Sequence, residues 1–326
     1  MKNICALVVI LLLSTSCDDK KKKAYKPASV GALNTLAVVM ENDLWEGTVG
    51  DKVREHFAES LIGLTWNEPQ FNLEHMPPQV FTGMTRHRRA VLYVSIDTVD
   101  IAHIKTDLYA TPQKVGVLKG RNQDELITNI DKFSDKIIAS IRETELDETQ
   151  KRFSRSLSLD RSLQEEFNIS LKLPTIYKVG KVEENFVWID REIPKGSMNI
   201  IVYTMPGNSF DKDSTFVSDI VKMRDSIGKK YIPGPDIPNK TTYMVTEKAF
   251  APYVFPAELA GRKAAEVRGI WEIQNYPMAG PFLTFIVNDD KNNRKLVVEG
   301  FTFAPATNKR DYMFELEAIL KTLQID

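Results

Sequence analysis

The residues best placed to do chemistry lie in Lys263–Gln274, a stretch that alternates like a strand. One face carries Glu266, Arg268, Ile270, Glu272 and Gln274, and the other carries Ala265, Val267, Gly269, Trp271 and Ile273. Such a row of carboxylates beside a guanidinium is either a solvated face over a core face or the polar lining of a groove. Two carboxylates astride a groove, about 5–10 Å apart, would suit glycoside hydrolysis. Glu299 adds a second signal. It shares a strand face with Val297, Phe301 and Phe303, where an unpaired carboxylate is costly. Arg268, on a nearby strand, is its expected partner, giving either a buried structural ion pair or part of a ligand site.

Other constellations are scarce. His56, His75, His87 and His103 lie in the first half without i, i+4 or His-x-His spacing, so no metal site is expected. The chain has no G-x-S-x-G, S-x-x-K, Walker loop or H-E-x-x-H, and neither a catalytic residue nor a cofactor is expected. Asn275–Phe282 joins two strands and combines Tyr276, Met278 and Phe282 with Gly and Pro. It reads as a stiff contact loop for a partner, or as a turn tucked against the sheet. Trp45, Trp66, Trp188 and Trp271 read as core.

Cys17 is the remaining reactive side chain. It follows Lys2, an apolar run from Ile4 to Leu13, and the small residues Ser14-Thr15-Ser16. That order reads as a secretory signal over residues 1–16, because ten residues fall short of the ~20 needed to span a bilayer. A cysteine at this place resembles the lipobox of bacterial lipoproteins, in which it is acylated and becomes the first mature residue. The usual leucine three places earlier is Ser14, with Leu13 one place further back. The other reading is plain secretion with an incidental cysteine. Residues 17–30, with Asp18-Asp19 and Lys20–Lys23, then form a lipidated tether whose lysines sit near the headgroups or act as solvated spacer. The aspartates resemble an inner-membrane retention signal in some hosts and a surface-export signal in others.

Composition bounds the rest. The chain has 326 residues, 43% of them hydrophobic and 27% charged, enough for two domains. Loss of the signal removes only Lys2, taking the formal charge from −1 to −2. That balance, with export, argues against a nucleic-acid partner. Of the two cysteines, Cys5 leaves with the signal and Cys17 carries lipid, so disulfides and thiolate chemistry are not expected.

The elements that must position these residues fall into two α+β domains, each an antiparallel or mixed sheet covered by helices. In residues 31–146 buried strands are expected at Leu33–Met40, around Phe71–Leu73, at Ala90–Ile96 and at Val115–Leu118. Helices are expected at Trp45–Leu61 and from Asn122 or Asp124 to Ile141. Residues 147–166 read as a helical connector within a charged stretch that begins at Glu143. Residues 167–326 give strands at Asn168–Leu173, Asn185–Asp190, Ser197–Thr204, Thr241–Thr246, Lys263–Gln274, Pro281–Asn288 and Arg294–Phe303. Helices from Ser214 and over Lys309–Leu323 complete that domain. Short turns such as Asp289–Asn293 demand antiparallel pairing.

Several stretches also resemble one family. Trp45–Asp51, Glu68–Phe71, Tyr109–Gln113, Asn185–Trp188 and Tyr231–Pro235 resemble landmarks of the Bacteroidetes lipoproteins catalogued as domain of unknown function 4837. So do Arg268–Glu272, Gly280–Phe282 and Lys309–Tyr312. The resemblance implies an exported, lipid-anchored envelope protein on the outer membrane or cell surface, with no assigned activity. The second half is also similar in element order to PsbP-like domains, α/β/α sandwiches that act mostly as assembly or binding modules. The expected role is therefore a non-catalytic envelope module with a possible protein partner. The alternatives are a carboxylate-dependent glycan hydrolase and a small-molecule carrier.

Overall fold

The structure is a computed structural model and describes residues 25–326. The signal and Cys17 lie outside the described residues. The fold is α+β, built on two main sheets.

The first sheet comprises β1 (Thr35–Val39), β2 (Asn72–Met76), β3 (Ala90–Ile96), β4 (Ile101–Thr106) and β5 (Lys114–Gly120). Their order is β2-β1-β3-β5-β4, parallel throughout except where β4 meets β5. Strand β1 is buried at every position because it lies inside the sheet with both faces covered. The expected helix over Trp45–Leu61 divides at Gly47 into α1 (Asn42–Glu46) and α2 (Thr48–Phe57). Val49, Val53 and Phe57 of α2 are fully buried against this sheet's core.

Helix α3 (Gln123–Phe153) follows β5. The Asn122 side chain caps it by accepting the Glu125 N–H at 3.0 Å. Its stripe of Leu126, Ile130, Ile137 and Ile141 packs on the first sheet, whereas Phe153 enters the core of the second. The helix runs unbroken for 31 residues, about 46 Å at 1.5 Å per residue. The expected connector is therefore not a separate helix, and its first residues complete α3. A short α4 (Ser162–Phe167) then leads into the second half.

The second sheet has eight strands: β7 (Lys178–Glu183), β8 (Phe186–Ile193), β9 (Gly196–Pro206), β10 (Met244–Thr246), β11 (Tyr253–Leu259), β12 (Arg262–Ile273), β13 (Tyr276–Asp289) and β14 (Arg294–Phe303). The order is β10-β12-β13-β14-β9-β8-β7, with β11 beside β10 on the same edge of β12, and every pair is antiparallel. The expected strand at Asn168–Leu173 shrinks to β6 (Ile169–Ser170), which pairs with a C-terminal β15 (Gln324–Ile325). Helix α5 (Phe216–Tyr231) covers one face through Ile220, Met223 and Tyr231. Helix α6 (Arg310–Leu320) covers the other through Met313, Leu316, Ile319 and Leu320. Burying each such side chain stabilises by about 1.5–3 kcal/mol, which makes this half a helix–sheet–helix sandwich.

Helix α6 also ties the halves together. Lys309, its N-cap residue, offers no side-chain cap. The buried Glu68 carboxylate supplies one from the first half, accepting the Lys309 and Arg310 N–H groups at 2.8 Å each. Gly63, at φ +80°, presses its loop onto β12, where an added Cβ would lie 2.9 Å from the Arg268 Cβ. No helix among the described residues is long and apolar enough to cross a membrane.

Candidate functional site

The alternation expected for Lys263–Gln274 holds: Val267, Gly269, Trp271 and Ile273 are buried, and Glu266, Arg268, Ile270 and Glu272 are half-buried. The polar face is not open solvent surface. Glu266 and Arg268 line a cleft of about 390 Å³ between the halves. Its walls come from the Glu59–Ile62 loop, Arg142 of α3, Phe255 of β11, and Glu317 and Lys321 at the end of α6.

The floor is a chain of ion pairs. Arg268 donates from Nε to Glu266 Oε1 at 2.6 Å and from Nη2 to Glu317 Oε2 at 3.0 Å. Glu317, 4% exposed at its side chain, also accepts from Arg142 Nη2 at 3.1 Å and pairs with Lys321 Nζ at 2.9 Å. Burial alone would raise the Glu317 carboxyl, but Arg268, Arg142 and Lys321 outweigh it and hold the group far below the usual carboxylate range. Burial likewise opposes the Arg268 charge, and Glu317 with Glu266 restores it. A carboxylate fixed in its ionised form by three cations is unsuited to proton transfer near neutral pH. Among the described residues, Arg268 Nη1 and Arg142 Nη1 and Nε have no hydrogen-bond partner, and Ile62 and Phe255 form exposed apolar lips. The cleft can therefore hold a ligand that brings acceptor atoms and a short apolar body.

The other expected site residues go elsewhere. Glu299 does not pair with Arg268, because the two project from opposite faces of the sheet. Its partner is Arg224 of α5, with Nε–Oε2 at 2.9 Å and Nη2–Oε1 at 2.6 Å. Thr284 Oγ1 donates to Glu299 at 2.6 Å, Arg224 Nη1 donates to Thr246 Oγ1 at 2.6 Å, and the guanidinium lies 3.4 Å from the Phe282 ring centroid. Both charges are buried, so this pair pins α5 to the sheet. Glu272 stands opposite Ala279 and Val245, about 20 Å along the strand from Glu266 at ~3.3 Å per residue. Neither Glu272 nor Glu299 can flank one glycosidic bond with Glu266.

The expected contact loop is not a loop. Tyr276, Met278 and Phe282 belong to β13; Phe282 is core, Met278 packs on that core, and Tyr276 alone is substantially exposed. Among the described residues no group of three or more His, Cys, Asp or Glu converges on a point.

Three features went unread in the sequence. Glu317 lies four residues after Met313 and three before Leu320, a charge inside a buried helical stripe and thus a legible signal. Glu145 stands likewise four after Ile141 and pairs with buried Arg89 at 2.8 Å. A second groove, of about 570 Å³ over β7, β8 and β9, contains Trp188, Asp190, Glu192 and Asn199. Burial, with the nearby Glu192 charge, raises the Asp190 carboxyl.

Residues 29–154 match a family model described as a domain of unknown function, DUF8532. The first-half landmarks, Trp45–Asp51, Glu68–Phe71 and Tyr109–Gln113, fall under that model. No curated protein matches the chain. Residues 156–322, just over half of the chain, match the domain of unknown function DUF4837, and the chain belongs to that family.

Proposed function

We propose that this protein is a lipid-anchored component of the cell envelope that works by binding rather than by catalysis. Acylated Cys17 holds it at the outer membrane or cell surface, and the cleft between the halves receives a protein partner. The observation that carries the reading is the state of the cleft's charges. They are locked in mutual pairs that disfavour proton transfer, yet they leave guanidinium N–H edges open between apolar lips. The signal-like start, the cysteine after small residues and the Bacteroidetes lipoprotein resemblance support the anchor. The near-neutral charge favours no nucleic-acid partner.

The test is a crosslinked pull-down of the intact chain from its own envelope, beside Cys17→Ser and Ile62→Asp forms. A protein captured by the parent and lost from both variants supports the reading. Equal capture by Ile62→Asp removes the cleft, and unchanged membrane partitioning of Cys17→Ser removes the anchor. Recovery of glycan fragments instead favours the hydrolase alternative. Its best support is now Asp190 and Glu192, two residues apart on one face of β8 and hence about 7 Å apart, beside Trp188.

A further inference from the structure

The described chain begins against a layer of loops on the face of the first sheet opposite α2 and α3. Ser29 N donates to Thr111 O at 3.1 Å, Val30 N donates to His87 O at 2.8 Å, and Lys26 Nζ donates to Asp107 O. The Gln113 side chain joins the same segments by donating to Arg86 O and Arg88 O at 2.6 and 2.7 Å. Phe81 and Tyr109 meet edge to face beneath them, with ring centroids 5.7 Å apart.

This layer holds large apolar side chains out in water. Met84 is 67% exposed and Val80 51%, with Leu108 and Tyr25 also exposed. The turn carrying the first two is locked by polar contacts. Thr85 Oγ1 accepts from Thr82 N at 2.9 Å, and its hydroxyl lies 2.8 Å from both Val80 O and Thr82 O. A turn fixed this way cannot fold Met84 inward. Residues 25–30, 78–89 and 105–113 contain a single acid, Asp107, against Lys26, Arg86, Arg88, Arg89 and Lys105. Of these, Lys26, Arg86 and Lys105 are exposed, whereas Arg88 pairs with Glu74 and Arg89 with Glu145.

We propose that this loop layer, with Val80, Met84 and Leu108 foremost, rests on the anionic lipid surface that anchors the protein. The proposal rests on acylation of Cys17. Only seven residues lie between Cys17 and Tyr25, a reach of at most about 30 Å when fully extended. Four of those residues are Lys20–Lys23, which favour an anionic surface. The leash brings the layer toward the bilayer, the exposed cations match its charge, and the fixed apolar side chains match its interface.

The test uses the full chain purified from membranes, with Cys17 blocked by its lipid and Met84→Cys carrying an environment-sensitive fluorophore. It is reconstituted in vesicles of phosphatidylethanolamine and phosphatidylglycerol. Leu108→Cys is a second reporter, and Asn292→Cys, on the turn between β13 and β14, is the reference. The expected result is a severalfold emission rise with blue shift at positions 84 and 108, quenched by lipid-borne spin label, and none at 292. Solvent-like emission at both positions on a chain that floats with the vesicles overturns the docking surface and leaves the anchor standing. A chain whose Cys17 carries no acyl mass and that does not float overturns both.

Discussion

Glu68 and Arg310 meet across the junction of the two halves. The Glu68 carboxylate accepts the Arg310 N–H at 2.8 Å, and Arg310 Nη1 donates to the carbonyl of Pro69 at 3.0 Å. A helix of the second half thus owes its N-terminal cap to a loop of the first. The cap is charge-assisted, buried and aligned with the helix dipole. Its loss orphans two backbone donors at once, in contact with the junction.

Glu68→Ala should therefore destabilise the protein by about 1–3 kcal/mol and lower Tm by about 2–5 °C. Glu68→Gln, which keeps one acceptor, should recover part of the loss. Thermal unfolding with hydrogen exchange at the Lys309 and Arg310 amides checks this. Unchanged protection at those two amides would show that the cap is energetically idle.

The Arg224–Glu299 pair makes a separate forecast. Both side chains are buried, and among the described residues the guanidinium hydrogen-bonds to Glu299 and Thr246 and lies over the Phe282 ring. Removing one partner leaves an uncompensated buried charge, so Glu299→Gln should cost about 3–5 kcal/mol. A double-mutant cycle on Arg224 and Glu299 should give a coupling of about 2 kcal/mol or more. The same cycle on Arg268 and Glu299, which face opposite sides of the sheet, should give none within about 0.5 kcal/mol. Coupling in the second cycle would refute the assignment.

Much of this frame was legible because burial writes periodicity into sequence. Strands β3, β9 and β14 are nearly continuous apolar runs, and the α3 and α6 stripes are unmistakable. The unread strands, β4, β7, β11 and the two-residue β15, lie at sheet edges. Their residues are largely exposed, so polar side chains blur the alternation, and Gly180 and Pro256 add breaks. Tyr276–Phe282 reads as a loop because of Pro277 and Pro281, but β14 begins to pair only at Phe282, so neither proline removes a needed donor on that side. Glu299's need for a cation was legible from its apolar neighbours. Which cation answers it depends on where α5 crosses the sheet, a tertiary fact no local pattern encodes.

Acid should separate the cleft from the rest of the molecule. Glu317 has a folded pKa depressed below its ordinary 4.5, so its ion pairs stabilise the fold above that value. The contribution is lost as pH falls from about 4.5 toward the folded pKa. Glu317→Gln should accordingly lower Tm markedly at pH 7, leaving Arg268, Arg142 and Lys321 facing one another. The gap between parent and variant should narrow as the medium is acidified below the ordinary value. A gap independent of pH down to the acid transition would mean that packing, not charge, holds α6 at the cleft.

Asp190 carries the opposite sign. Burial, then the Glu192 charge, raises its carboxyl above the ordinary 3.8. Its Oδ1 lies 2.9 Å from the point where a Cβ on Gly180 would stand, and no cation among the described residues pairs with it. A raised folded pKa stabilises the fold below the unfolded value, and that contribution is lost as pH rises through the folded one. At neutral pH the ionised Asp190 is thus a burden on the native state, partly relieved by solvent in the open groove. Asp190→Asn keeps the shape and removes the charge, so it should raise Tm at pH 7 by about 1–3 °C. The gain should vanish when the pH drops below about 3.8, where both side chains are neutral. A loss of stability at neutral pH would instead show that the carboxylate has a structural partner. A gain would show that nothing within the groove compensates the Asp190 charge, and that its cost is that of burial beside Glu192.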